Sequence, residues 1–469
     1  MSQTINGIKS LDKLAYDIVC NWPKFIDFDP YYRGVDYSLV IRFYLWDKVG
    51  RAIRIQNQLD FGENEKYQYE YNSFPFYHTP MVSQGKFRRK LLRPEKTIFI
   101  PFQGNHTRNL VYALKQNRSI RVISKSSFDI LETTEVIRPE KINNKGSWHM
   151  RLYAAVLESL RTKDIKLTEL DKKLLKNQIK GCVLISFLAE KELKRNKPSG
   201  LYVHSDNHPP YINYILVARK LGIPTFTYQH GLDCEHYFLD DCFADFVAVW
   251  SEDRKKNYLE NSIIQPKDYK VIGNYFLEQV KEHNLKITDK TVLFLTRPHR
   301  PIKCYSPSRN YLEGKQILEA ILKYLEANKD VKLIIKPHPM DLVSLYSESV
   351  QNVEYEDRVS ISYESVEELF QKVNVVVTED TTSGAEAMLY KLPCVHVHLA
   401  ASDPVLPFVK YGAALPGRTK EEIFTSLEKI FSLSDIEKKE MKNGQKKLVN
   451  DFIPPGEIHS LTDFISENI

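Results

Sequence analysis

Short apolar runs, each followed by a loop and then an amphipathic stretch, recur from residue 97 to residue 398. Strands and helices that alternate in this way can bury their apolar faces only as a parallel sheet covered by helices on both sides. The clearest run is Val331-Lys332-Leu333-Ile334-Ile335, read as a buried strand. It stops at Lys336-Pro337-His338-Pro339, where two prolines fix φ and cannot extend a ladder. A lysine and a histidine therefore stand in a stiff loop at the carboxyl end of a strand, the place where open α/β sheets bind ligands. Two cation-capable side chains there suit a phosphate or diphosphate. A surface turn that happens to carry a histidine is the plain alternative.

At 469 residues the chain is too long for one core, so two domains are expected. A hydrophobic content of 42% and a charged content of 27% are ordinary for a globular protein. The net charge of +6 and a pI near 8.7 are too mild for a nucleic-acid partner. The basic clusters Lys86-Phe87-Arg88-Arg89-Lys90 and Lys191–Lys197 suit a solvated face, an anionic substrate or anionic lipid. Cys20, Cys182, Cys234, Cys242, Cys304 and Cys394 are scattered, with no CxxC and no metal-ligand spacing. The N-terminus lacks a signal-peptide pattern, and no apolar run approaches the roughly 18 residues of a membrane span. The expectation is a cytoplasmic protein, any contact with the inner membrane being peripheral.

In chain order, residues 1–95 are expected to form an extension or cap on the first domain, with a helix face between Tyr37 and Gln58 and no assignment for Tyr67–Phe87. A first Rossmann-like domain is read over 96–285. Its strands are Thr97–Pro101, Ser119–Ser124, Gly200–His204, Thr225–Tyr228, Phe246–Trp250 and Lys270–Asn274. The polar stretch near 278–290 reads as the linker. A second Rossmann-like domain follows over 286–452, with strands Thr291–Leu295, Val331–Ile335, Asn352–Tyr355, Val359–Ser362, Asn374–Thr378 and Pro393–His398. Ser365 and Glu368 form a capping-box pattern. Pro454-Pro455-Gly456 breaks the chain before a terminal helix, in a segment (453–469) that is free to cross back. The economical fold is two doubly wound α/β domains facing a cleft.

A second segment strengthens the phosphate reading. Val375-Val376-Val377 leads into Thr378-Glu379-Asp380-Thr381-Thr382-Ser383-Gly384, and a helix starts there. A helix start offers unpartnered amides and the positive end of a dipole. Thr381, Thr382 and Ser383 add hydroxyls, and Glu386 in the first turn is placed for a ribose hydroxyl pair. Ordinary capping explains the Thr/Ser run alone equally well. Arg297 and His299, after the first strand of the second domain, suit diphosphate or acceptor charge, and Arg297 and Arg300 suit a solvated rim equally well. Glu379-Asp380 lacks the second acidic cluster that a DxD-type metal site needs, so no metal and no cofactor is expected. In the first half, His106, His230 and Asp206 each follow a strand. A neutral histidine there can take the proton of an attacking hydroxyl. His230 ranks first because Gly231 permits close backbone approach; His106 and Asp206 remain rivals.

Lys336-Pro337-His338-Pro339, the Ser/Thr turn with its Glu-containing helix, Gln229-His230-Gly231 and the run from Val247 to Asn274 together resemble GT-B glycosyltransferases of bacterial surface and capsular polysaccharide synthesis. Sialyl, Kdo and polyol-phosphate transferases use comparable elements. The resemblance covers roughly residues 200–400 and not the first 95. It implies a GT-B fold and transfer of a sugar from a nucleotide-sugar donor to a glycan or lipid-linked acceptor, with a slight preference for a CMP-linked acidic sugar. It also implies donor phosphate contacts at Lys336, His338, Thr382 and Ser383, beside which Pro339, Thr381, Glu386, Arg297 and Gly273 stand as further candidate donor residues. Two threonines and a serine stand where a plain Ser-Ser pair is common, so that contact can shift by a residue. The alternatives are a polyol-phosphate transferase with a CDP-linked donor, a UDP-sugar 2-epimerase, and a non-catalytic subunit of a polysaccharide assembly.

Overall fold

The computed structural model describes residues 13–57, 96–103, 105–117, 119–126, 148–232, 242–261, 265–277, 290–297, 299–300, 309–338, 341, 343–351, 356–399 and 404–469. Tyr67–Phe87, the strand expected at Asn352–Tyr355, most of the linker and Pro339 lie outside the described residues. In the N-terminal part, β1 (Tyr31–Tyr32) and β2 (Val35–Asp36) pair as a hairpin and lead into helices Tyr37–Val40 and Arg42–Gln56. Asp36 starts the first of these by accepting from the Ser38 amide at 2.9 Å. Trp22, Val40, Leu45 and Val49 are buried among Leu152, Leu160, Leu175 and Ile179 of the long helices Trp148–Thr162 and Glu169–Asn196. Burial of each such side chain stabilises by about 1.5–3 kcal/mol, which fastens the extension to the first lobe.

The first lobe is built on β3 (Lys96–Gln103), β4 (Ile120–Ser126), β5 (Gly200–Val203), β6 (Thr225–Tyr228), β7 (Phe246–Val249) and β8 (Asp268–Val271). All pair parallel, in the order β4-β3-β5-β6-β7-β8. The second lobe begins with β9 (Lys290–Leu295), followed by the short pair β10 (His299–Arg300) and β11 (Arg309–Asn310). Then come β12 (Val331–Lys336), β13 (Val359–Ile361), β14 (Val375–Thr378), β15 (Cys394–Val397) and β16 (Leu415–Gly417). Its parallel sheet runs β13-β12-β9-β14-β15-β16, the Rossmann order 3-2-1-4-5-6 in units of that lobe. Two such lobes make a GT-B fold. The expected strands are present wherever they fall on described residues. Leu415-Pro416-Gly417 was not foreseen as a strand, because proline and glycine depress strand propensity; as an edge strand it tolerates them.

The chain ends on the first lobe, not the second. Asn274 donates its amide to the Pro454 carbonyl at 2.6 Å, and the Gly456 amide returns to the Asn274 carbonyl at 3.1 Å. Helix Ile458–Glu467 then lays Phe464 against Phe226 and Phe246, with ring centroids 6.4 and 6.1 Å away. Lys96 Nζ donates to the Ser466 carbonyl at 3.0 Å. One apolar core therefore contains Ile98 and Leu110 of the first lobe, Leu293 and Val376 of the second, and Leu461 and Phe464 of the crossing helix. Among the described residues no helix is long and apolar enough to cross a membrane.

Candidate active site

Register brings the phosphate-binding candidates together. Leu295, the last residue of β9, pairs with Lys336 on one side and with Thr378 on the other. The loops beginning at Thr296, Pro337 and Glu379 therefore leave neighbouring strands at one level. Strand order reverses between β9 and β14, and the crevice outside such a reversal is where doubly wound sheets hold ligands. Successive amides of a strand point to opposite neighbours. The Thr296 amide accordingly goes to the Lys336 carbonyl at 3.3 Å, and the Arg297 amide to Glu379 Oε2 at 3.2 Å.

Helix Thr382–Leu389 starts at this edge. Thr381 is its cap, and its Oγ1 accepts from the Gly384 amide at 2.9 Å. A helix start leaves the amides ahead of that bond without intrahelical partners, directed outward. Glycine is required at 384: a Cβ there would sit 2.4 Å from Thr378 Oγ1, so the helix can approach β14 only without a side chain. Thr381, Thr382 and Ser383 are half-buried, as are Lys336 and His338. Glu386, also half-buried, has its carboxyl pushed up to about 7 by burial, with Glu367 adding to the effect.

Other acidic and basic groups at the edge are committed to the fold. Arg297 is 2% exposed, so it is no solvated rim. Asp380, 0% exposed, meets His396 Nε2 at 3.0 Å and His398 Nδ1 at 3.4 Å, and accepts the Leu406 and Val405 amides at 3.1 and 3.2 Å. It thereby ties β14 to β15 and to the loop beyond. Sequence reading missed these two histidines and also Thr296, Asp341 and Tyr346, which surround His338. The partners are distant in sequence, and only the sheet brings them together.

The first lobe reaches this site through the loop after β6. The Leu232 amide donates to Thr382 Oγ1 at 2.9 Å, and a Cβ on Gly231 would lie 3.5 Å from the same oxygen. Gln229, buried, holds the loop: its Oε1 accepts from the Trp250 amide at 2.9 Å and its Nε2 donates to the Gly231 carbonyl at 3.0 Å. His230 between them is exposed, with the His204 ring 5.9 Å away. His106 sits in the first turn of helix Asn105–Gln116 rather than in a loop before it. Asp206 is 7% exposed, and its Oδ2 accepts from the Phe243 and Ala244 amides at 2.6 and 2.9 Å. Burial nevertheless pushes its carboxyl up to about 6. Gly273 was expected among the donor residues but serves the chain crossing. At φ +74° it is left-handed, and a Cβ would meet the Pro455 carbonyl oxygen at 2.5 Å.

No known family's sequence profile matches the chain, and no curated protein sequence does. Solved structures do share the fold. Staphylococcus aureus MnaA, solved with UDP, is 15% identical with a TM-score of 0.51, over 79% of this chain and 96% of that one. The UDP-GlcNAc 2-epimerase of Neisseria meningitidis, bound to UDP-GlcNAc, is 16% identical with a TM-score of 0.51, over 79% of this chain and 98% of its own. The likeness extends across both lobes, and at these identities it defines the GT-B architecture alone.

Proposed function

We propose that this chain is a glycosyltransferase that uses a nucleotide-linked sugar. The second lobe holds the donor: Lys336, His338 and the helix start at 381–383 take the phosphate oxygens, and Glu386 takes the ribose hydroxyls. Arg297 sits beneath the switch point as buried positive charge. An acceptor hydroxyl oxygen attacks the anomeric carbon. The bond from that carbon to the phosphate oxygen breaks, its electron pair leaves with the nucleotide, and the hydroxyl proton goes to His230. Charge that develops on the leaving phosphate meets donors already in place. The acceptor is a glycan or its lipid-linked precursor.

The observation that supports this reading most is the Leu232–Thr382 hydrogen bond. It puts an exposed histidine two residues from a contact with the donor helix. The second reading is a UDP-sugar 2-epimerase, favoured by the UDP bound in the first structural neighbour and by the ligand and activity named for the second. An epimerase would work through carboxylates in the cleft. Here Asp206, Asp341, Glu379 and Asp380 are each buried and hydrogen-bonded to neighbouring groups, which ranks the histidine-based transfer first. No residue of the site stands behind the CMP preference, so the nucleotide is decided by test. Incubation with UDP-, GDP- and CMP-linked sugars separates the readings. Transfer predicts release of nucleotide, slow with water and faster with acceptor, and a loss of turnover larger than any loss of donor affinity in His230→Ala. Formation of a sugar isomer without nucleotide release would establish the epimerase instead.

A further inference from the structure

His338 is held by a ring of buried groups. Thr296, 3% exposed, is the first residue past β9. Its Oγ1 accepts from the His338 amide at 3.0 Å and donates to Asp341 Oδ2 at 2.7 Å. Tyr346, 0% exposed, comes from helix Val343–Val350 and donates its hydroxyl to the same Oδ2. The Asp341 amide returns to the His338 carbonyl at 2.8 Å. Both backbone polar groups of His338 are therefore taken, one through Thr296 and the other by Asp341 directly.

The direction of these bonds follows from the groups themselves. A threonine hydroxyl has one proton. Given to an acidic oxygen, it leaves the threonine oxygen to accept from an amide, and the two bonds polarise each other in the same sense. Pro337 has no amide to give, so the strand ladder that still holds Lys336 cannot continue to His338. Tyr346 belongs to the outer apolar core of the second lobe, with Val292, Leu333 and Ile335. The ring therefore fastens the loop to that core and not to solvent-exposed groups. A side chain that must meet an anion has to be held to within roughly 0.5 Å by neighbours that are themselves locked.

We propose that Thr296, Asp341 and Tyr346 are positioning residues that set the place of His338 for its phosphate contact. The proposal rests on the reading that His338 binds the donor phosphate. It assigns to Thr296 a need for a hydroxyl, not for a β-branched shape. It assigns to Tyr346 a need for the phenol oxygen in addition to the ring.

The test uses the full chain with Thr296→Val, Thr296→Ser, Tyr346→Phe and His338→Ala. UDP, CDP, CMP and GDP are titrated calorimetrically, and hydrogen exchange is followed for the amides of His338 and Asp341. Thr296→Val and Tyr346→Phe are expected to exchange faster there and to bind the nucleotide about tenfold more weakly, with Thr296→Ser within about twofold of the parent on both. Parent-like affinity in Thr296→Val beside lost affinity in His338→Ala overturns the positioning role. If His338→Ala keeps its affinity, or none of the four nucleotides binds the parent, the donor-site reading fails by itself. Exchange then decides the ring: unchanged rates in Thr296→Val overturn it, whereas faster rates in Thr296→Val with parent rates in Thr296→Ser support it.

Discussion

The Leu232 amide points at Thr382 Oγ1 from 2.9 Å away, and the two residues belong to different lobes. One hydroxyl thus touches the loop that carries His230 while standing in the first turn of helix Thr382–Leu389. Thr382→Val keeps the shape and removes the acceptor. A neutral hydrogen bond contributes about 1 kcal/mol, so exchange of the Leu232 amide should quicken roughly fivefold. Thr382→Ser should leave it unchanged. Equal exchange in all three proteins would mean that this contact is not held in solution.

Glu386 makes a prediction with a sign. Its carboxyl is raised from 4.5 to about 7, chiefly by burial. A group that binds its proton more tightly when folded favours the folded state below its unfolded value, and that contribution is lost as pH rises through the folded value. Glu386→Gln should therefore gain stability relative to the parent as pH rises from about 4.5 to about 7. Unfolding temperatures of the pair across that window check it; a constant difference would contradict it. Nucleotide affinity should run the other way in the parent, rising through the same window, because the ionised carboxylate is the better acceptor for ribose hydroxyls.

Gly384 is a packing requirement of helix Thr382–Leu389. With a Cβ only 2.4 Å from Thr378 Oγ1, Gly384→Ala must push the helix off β14. Overpacking of this kind costs about 1–3 kcal/mol. Thr378→Ser in the same chain removes the methyl group but keeps the oxygen that clashes, so it should rescue little. Thr378→Gly should rescue more. Thermal unfolding of the three variants is the measurement, and a Gly384→Ala protein as stable as the parent would refute the close approach.

The crossing helix predicts an effect far along the chain. Phe464 is 2% exposed between Phe226 and Phe246, so Phe464→Ala should cost about 3–5 kcal/mol. The loss should fall on the first lobe although the residue lies near the C-terminus. Exchange of β6 and β7 amides is expected to quicken most. If only the second lobe loosened, the crossing would be misplaced.

The two lobes were legible because each strand is a short apolar run with its own stop signal, as at Lys336-Pro337-His338 and Val375–Thr378. The Ser365–Glu368 capping box is present as read, because capping is a local matter. Residues with long-range partners were not legible. Nothing beside Asp341 announces that it will meet Thr296, which lies 45 residues earlier. Gly273 looked like a glycine for a ligand, and what approaches it is Pro455, contributed by a segment from the far end of the chain. Arg297 in the string Thr296-Arg297-Pro298-His299-Arg300 reads equally as an anion contact and as a solvated rim, since a run of charges says nothing of the sheet edge that covers one of them. Asp206 likewise has its Oδ2 occupied by amides from residues 243 and 244.

The most direct test of the whole account is a calorimetric titration of UDP, CDP, CMP and GDP into the parent and His338→Ala, with unfolding temperatures measured beside it. A hydrogen bond to a charged group contributes about 1.5–3 kcal/mol, so the account predicts that at least one nucleotide binds the parent and binds His338→Ala at least about tenfold more weakly, at an unchanged unfolding temperature. Equal affinity in the two proteins would contradict the placement of the donor phosphate at the end of β12.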